Sequence, residues 1–138
     1  MTPSRRAHLV MDPSAIVALL ADSGPAGTWA ESTIRGASLL APDLMPFEVA
    51  NILRRHAQAG ELDLSAATLA HADLVALPVQ LFSYVALAER VWELRGTLTA
   101  YDAAYVALAE RLSAPLVTLD TRLARAVGPR CAMLCYAP

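Results

Sequence analysis

Residues 99–110 read Thr99-Ala100-Tyr101-Asp102-Ala103-Ala104-Tyr105-Val106-Ala107-Leu108-Ala109-Glu110, and after Ser113-Ala114-Pro115 the chain continues Leu116-Val117-Thr118-Leu119-Asp120. Tyr101, Tyr105, Leu108 and Leu112 recur at i, i+4, i+7 and i+11, the stripe of an amphipathic helix over Thr99–Leu112. Leu116–Leu119 is an uninterrupted apolar run of strand length, which suits a strand buried on both faces. The same alternation extends upstream. His8–Met11 is a short apolar run that ends in Asp12-Pro13-Ser14 and leads into a helical segment, Ala15–Leu20. Gly24, Pro25 and Gly27 punctuate a second helix to about Arg35, and Ser38–Ala41 reads as a strand. Pro42 and Pro46 bracket the entry to a helix over Asp43–Ala59, which Gly60 stops.

Ser65–Leu77 reads as a helix with Ser65 as its N-cap, Val79–Phe82 as a strand, and Tyr84–Arg95 as a helix ended by Gly96. Beyond Asp120 the pattern gives a short helix to about Ala126, a Gly128-Pro129 turn and a last strand near Ala132–Cys135. Short apolar strands alternating with helices predict an α/β fold of three layers. It has a central, mostly parallel sheet of about five strands with helices on both faces. No repeat or linker divides the sequence, so residues 1–138 are expected to form one domain, with residues 1–7 a disordered N-terminal extension.

Composition narrows the chemistry. Hydrophobic residues make up 56% and charged residues 17% of the 138 positions, which excludes a disordered chain. The longest stretch without a formal charge, Leu74–Ala88, contains Pro78 and Gln80 and is shorter than the roughly 20 residues of a membrane span. Arg5 and Arg6 precede an apolar run, but Asp12 interrupts it before any signal-peptide cleavage pattern, so a cytoplasmic protein is expected. All 11 basic residues are Arg. Without Lys there is no Walker A loop and no Schiff-base chemistry. Cys131 and Cys135 match no usual zinc spacing and are expected to be free thiols near the last strand. His8, His56 and His71 show no ligand spacing.

The acids are more informative. Asp12 and Asp120 each follow an apolar strand run, at the carboxyl edge where open α/β sheets bind ligands. Each reads equally well as a helix N-cap. Asp102, in Thr99-Ala100-Tyr101-Asp102, fits a capping box, yet in the first turn of its helix it can also face the edge that carries Asp12. Glu48 lies beside the apolar face of its helix, where a carboxylate needs a partner; Arg55 shares its side, and a solvated surface position is the alternative. Four carboxylates meeting in one crevice would repel unless a cation neutralised them, and an all-oxygen cluster favours a hard ion, Mg²⁺ or Mn²⁺.

The succession Val10-Met11-Asp12-Pro13-Ser14, Pro46-Phe47-Glu48, Leu98–Tyr105 and Leu116-Val117-Thr118-Leu119-Asp120 resembles the PIN-domain ribonucleases of the VapC toxin type, over about Leu9 to Leu134. The resemblance implies a metal-dependent endoribonuclease that leaves a 5′-phosphate and a 3′-hydroxyl. It further implies the toxin of a type II toxin–antitoxin pair, a homodimer held inactive by a VapB-type antitoxin. By position, Asp12, Glu48, Asp102 and Asp120 match that family's acidic quartet around Mg²⁺, and Ser14, Thr99 and Thr118 match its supporting polar positions. Pro13 departs from the small residue often found there; it lacks an N–H, so the turn is expected to differ while the ligands remain. A catalytically silent binding module, or a nuclease acting on another nucleic acid, are the alternative readings.

With a net charge of −2, RNA has to be guided by local arginines. Arg111, Arg122, Arg125 and Arg130 stand against Asp120 in residues 111–130, and Arg55 and Arg95 are candidates for the rim.

Overall fold

The computed structural model describes residues 6–138, so the expectation for the first five residues lies outside the described part of the chain. The apolar runs become strands, the inner ones buried beneath helices and the two edge strands partly exposed. The strands are β1 (His8–Met11), β2 (Ser38–Pro42), β3 (Val79–Phe82), β4 (Leu116–Thr118) and β5 (Met133–Cys135). They form one sheet in the order β3-β2-β1-β4-β5, and every pairing is parallel. Val10, Met11, Leu116 and Val117, on the two central strands, are fully buried.

Between β1 and β2 run α1 (Pro13–Ala21) and α2 (Pro25–Ile34), and between β2 and β3 run α3 (Met45–Gln58) and α4 (Leu64–Ala76). A 3-10 turn (Tyr84–Ala86), α5 (Ala88–Glu93) and α6 (Ala100–Arg111) lead from β3 to β4, and α7 (Thr121–Ala124) joins β4 to β5. Right-handed crossovers put α1–α4 on one face and α5–α6 on the other, because the strand order advances in opposite directions from β1 and from β4. The reversal opens a crevice between the carboxyl ends of β1 and β4.

Helix α6 is buried from Ala103 through Ala109, and its small residues let it lie close against the centre of the sheet. Its stripe does not hold over the first turn: Tyr105 and Leu108 are buried, but Tyr101 is 63% exposed. The expected α4 cap also shifts, for the N-cap is Asp63 and Ser65 lies inside the first turn. Tyr84–Arg95 is not one helix but a 3-10 turn followed by α5. In the α1–α2 corner the backbone closes so tightly that a Cβ on Gly27 would meet the Asp22 carbonyl oxygen at 1.8 Å. Cys131 and Cys135 are free thiols. Among the described residues no helix is long and apolar enough to cross a membrane.

Candidate active site

Asp12 and Asp120 leave neighbouring strands at the same edge, and each caps the helix that follows. The Asp12 side chain accepts from the Ala15 amide at 2.9 Å, with Pro13 in the first turn of α1, where its missing N–H breaks no helical bond. Asp120 accepts from the Arg122 and Leu123 amides at 2.9 and 3.3 Å. The N-cap and site readings of these acids are therefore compatible.

Asp12 is only 4% exposed, and its charge is held by a web that ties β1 to β4. Ser14 Oγ donates to Asp12 Oδ1 at 2.6 Å and accepts from the Leu119 amide at 2.9 Å. Thr118, fully buried, donates to Asp12 Oδ2 while its Oγ1 accepts from the Asp120 amide at 2.9 Å. Three of about four lone-pair positions on the carboxylate are thereby used, leaving one directed elsewhere. Thr99 acts at the third acid, capping α6 by accepting from the Asp102 amide at 3.2 Å.

Glu48 enters from the first turn of α3. Its partner is Tyr105, whose hydroxyl donates to Glu48 Oε1 at 2.7 Å, and not the expected Arg55, which lies exposed in the last turn of that helix. The Asp102 and Asp120 carboxylates share one guanidinium: Arg122 Nη2 stands 3.5 Å from Asp102 Oδ2 and 3.2 Å from Asp120 Oδ2.

The acids also act on one another's charge. Burial pushes Asp12 above the ordinary carboxylate range against its hydrogen bonds, and the charge of Asp120 adds to the rise. Burial raises Glu48, Tyr105 opposes this, and Asp102 and Asp12 push it further up. Asp102 is raised by burial, eased by Arg122 and raised again by Asp120. The repulsions close a ring, Asp12–Asp120–Asp102–Glu48–Asp12.

The arginines divide. Arg122 stands at the acids and exposed Arg125 ends α7 on the same edge. Arg111, at the far end of α6, donates to the Ala86 carbonyl, while Arg130 meets Glu110 through its amide. The positive balance of residues 111–130 is thus spread over the molecule. Arg95 lies 4.8 Å over the Trp92 ring.

Residues 9–129 match the PIN domain family. Over 123 residues the chain is 40% identical to the VapC ribonuclease Mb0985 of Mycobacterium bovis, covering 89% of this chain and 94% of that protein. The chain belongs to the PIN-domain family, among its VapC relatives. The crystal structure of PAE2754 from Pyrobaculum aerophilum superposes with a TM-score of 0.64 at 27% identity, over 92% of this chain and 83% of the other. VapBC2 from Rickettsia felis, solved bound to a DNA fragment from its promoter, shares the fold, with a TM-score of 0.65 at 10% identity over 94% and 99% of the two chains.

In this PIN domain the donors have the chemistry of a hard-cation site: all are carboxylate oxygens, and their mutual repulsion is met by one guanidinium. Among the described residues, no group of three or more His, Cys, Asp or Glu side chains is arranged to hold a metal ion as it stands. Glu48 is drawn toward Tyr105, and Asp102 and Asp120 toward Arg122. The donor set fits Mg²⁺ in type and charge. Tyr105 is the site residue that sequence reasoning missed: its place in the apolar stripe hid the one polar atom that reaches the crevice.

Proposed function

We propose that this PIN domain is an endoribonuclease toxin of the VapC type that hydrolyses RNA phosphodiester bonds with the help of Mg²⁺ or Mn²⁺. It thereby inhibits translation and growth and is neutralised by a VapB-type antitoxin. The observation that carries the reading is the shared β1/β4 edge, where Asp12 and Asp120 leave neighbouring strands, Thr118 ties the two together and Arg122 bridges Asp120 to Asp102. The mycobacterial relatives named as VapC ribonucleases support the substrate class.

Asp12, Asp102, Asp120 and Glu48 would hold the cation, which supplies Lewis-acid stabilisation of the phosphodiester and lowers the pKa of water. Ser14 and Thr118 fix Asp12, and Thr99 fixes the helix turn that presents Asp102. Water attacks phosphorus in line and the bond to the 3′ oxygen breaks, that oxygen taking a proton from solvent, which gives a 5′-phosphate and a 3′-hydroxyl. Glu48, raised by burial and steered by Tyr105, accepts the proton of the attacking water. Arg122 and Arg125 guide the RNA backbone, with Arg55 and Arg95 on the outer rim.

The working form is a homodimer. Support comes from the apolar surface along α3, α4 and the β3 edge, where Phe47, Val75 and Leu81 are exposed beside Met45, Pro46 and Leu74. The full chain is expected to cut RNA with Mg²⁺ and to stop in EDTA. Asp12→Asn or Asp102→Asn should lower the rate at least about 100-fold. Undiminished cleavage by both variants would reject the reading, and a strict monomer at micromolar concentration would remove its dimer part.

A further inference from the structure

One contact in the crevice does more than neutralise charge. Arg122 Nη2 lies between Oδ2 of Asp102 and Oδ2 of Asp120, two oxygens carried by different elements, the first turn of α6 and the cap of α7. The two acids are about one-third exposed, but the Arg122 side chain is 80% exposed. The guanidinium therefore sits on the mouth of the crevice with its stem in water, held by ion pairs of the weak, solvent-screened kind.

We infer that Arg122 is a built-in counter-cation that competes with the divalent ion for the Asp102 and Asp120 oxygens, and that ion binding releases it to grip the RNA phosphate. The inference rests on the ribonuclease reading above. A guanidinium and a small divalent cation on these same oxygens would lie side by side in a half-buried crevice, and their repulsion makes the two compete. Displacement is easy because the arginine leaves for water and not through protein. The freed side chain stays tethered to α7, within reach of the opening it has vacated. There its fork of donors matches a phosphate, and the negative charge it had balanced is balanced by the ion. The same residue thus serves the acids before loading and the substrate after it, so metal affinity and RNA affinity pull on it in opposite directions.

The test uses the full chain and Arg122→Gln, which removes the charge at an exposed position and leaves the core untouched. Arg111→Gln is the control. It also removes one positive charge, but from the far end of α6, about 14 Å of helix rise from Asp102. Mn²⁺ binding is measured by calorimetry without RNA. RNA binding is measured in Ca²⁺ across a series of salt concentrations. Arg122→Gln is expected to bind Mn²⁺ about two- to tenfold more tightly than wild type. Its RNA binding should be weaker, and the slope of log affinity against log salt should be shallower by about 0.7, one single-strand phosphate contact. Arg111→Gln should bind Mn²⁺ as wild type does. Unchanged or weaker Mn²⁺ binding by Arg122→Gln, in a wild type that binds Mn²⁺ and cuts RNA, overturns the inference and leaves the ribonuclease reading standing. An equal gain in Arg111→Gln overturns it as a general charge effect. A wild type that neither binds Mn²⁺ nor cuts RNA overturns both.

Discussion

The Tyr105 hydroxyl and the Glu48 carboxylate, 57 residues apart in sequence, meet at 2.7 Å where α6 passes the first turn of α3. Tyr105 is otherwise buried, and burial with the charge of Glu48 keeps its phenol well above the ordinary range, so it remains a donor at every working pH.

Tyr105→Phe keeps the ring and deletes the donor. Because that bond lowers the Glu48 pKa, its loss raises it further, and the acidic limb of the pH–rate profile should move to higher pH. The turnover number is expected to fall with KM little changed, at a stability cost of about 1–3 kcal/mol for a hydrogen bond to a charged group. An unshifted profile in steady-state kinetics would detach Tyr105 from the reaction.

Thr118→Val is close in shape and breaks two bonds at once, the one given to Asp12 and the one taken from the Asp120 amide. The first is buried and the second part-buried. Unfolding in urea should show a loss of roughly 2–4 kcal/mol, more than a single neutral hydrogen bond. Divalent-ion affinity should fall with it, since Asp12 loses the restraint on its position.

Asp102→Asn is expected to raise stability while abolishing cleavage. The Asp102 carboxyl is raised above its unfolded value, so between the two values the folded state binds more protons than the unfolded state. Wild-type stability from this group is therefore lost as pH rises through that window, and the asparagine variant has no such loss. In EDTA the variant should melt above wild type at pH 7.5, and the gap should close toward pH 4. Adding Mg²⁺ should raise wild type more than the variant. A variant that melts lower at every pH would show that the crevice is not charge-strained.

Glu110 provides the opposite sign. Arg90 holds it at 2.7 Å and the Arg130 amide at 2.8 Å, and Arg90 also reaches the Gly128 carbonyl at 2.9 Å, fastening α5, α6 and the loop before β5. These partners outweigh burial and depress the Glu110 pKa, so its stabilisation is present above the unfolded value and lost as pH falls through the folded one. Glu110→Gln should cost about 1–3 kcal/mol at pH 7 by thermal melting, with Mn²⁺ affinity unchanged.

Much of this architecture was legible along the chain. The apolar runs at His8–Met11 and Leu116–Leu119 announced strands, and each was followed by an acid at the carboxyl edge. The spacing around Thr99 announced both the cap and Asp102. The failures have local causes. Tyr84–Arg95 carries helical periodicity but breaks into two pieces, and Tyr101 keeps the stripe's phase while standing out in solvent.

The sequence by itself determined most of the element types, the α/β class and which acids stand at element ends, because periodicity, caps and breakers act over one or two turns of chain. Only the tertiary structure decided who partners whom: Tyr105 and not Arg55 at Glu48, Thr118 at Asp12 across 106 residues, and Arg122 between Asp102 and Asp120. Those choices depend on how far apart two elements lie and how they are rotated once packed, and packing distances are set by the whole core, not by any neighbour in the chain.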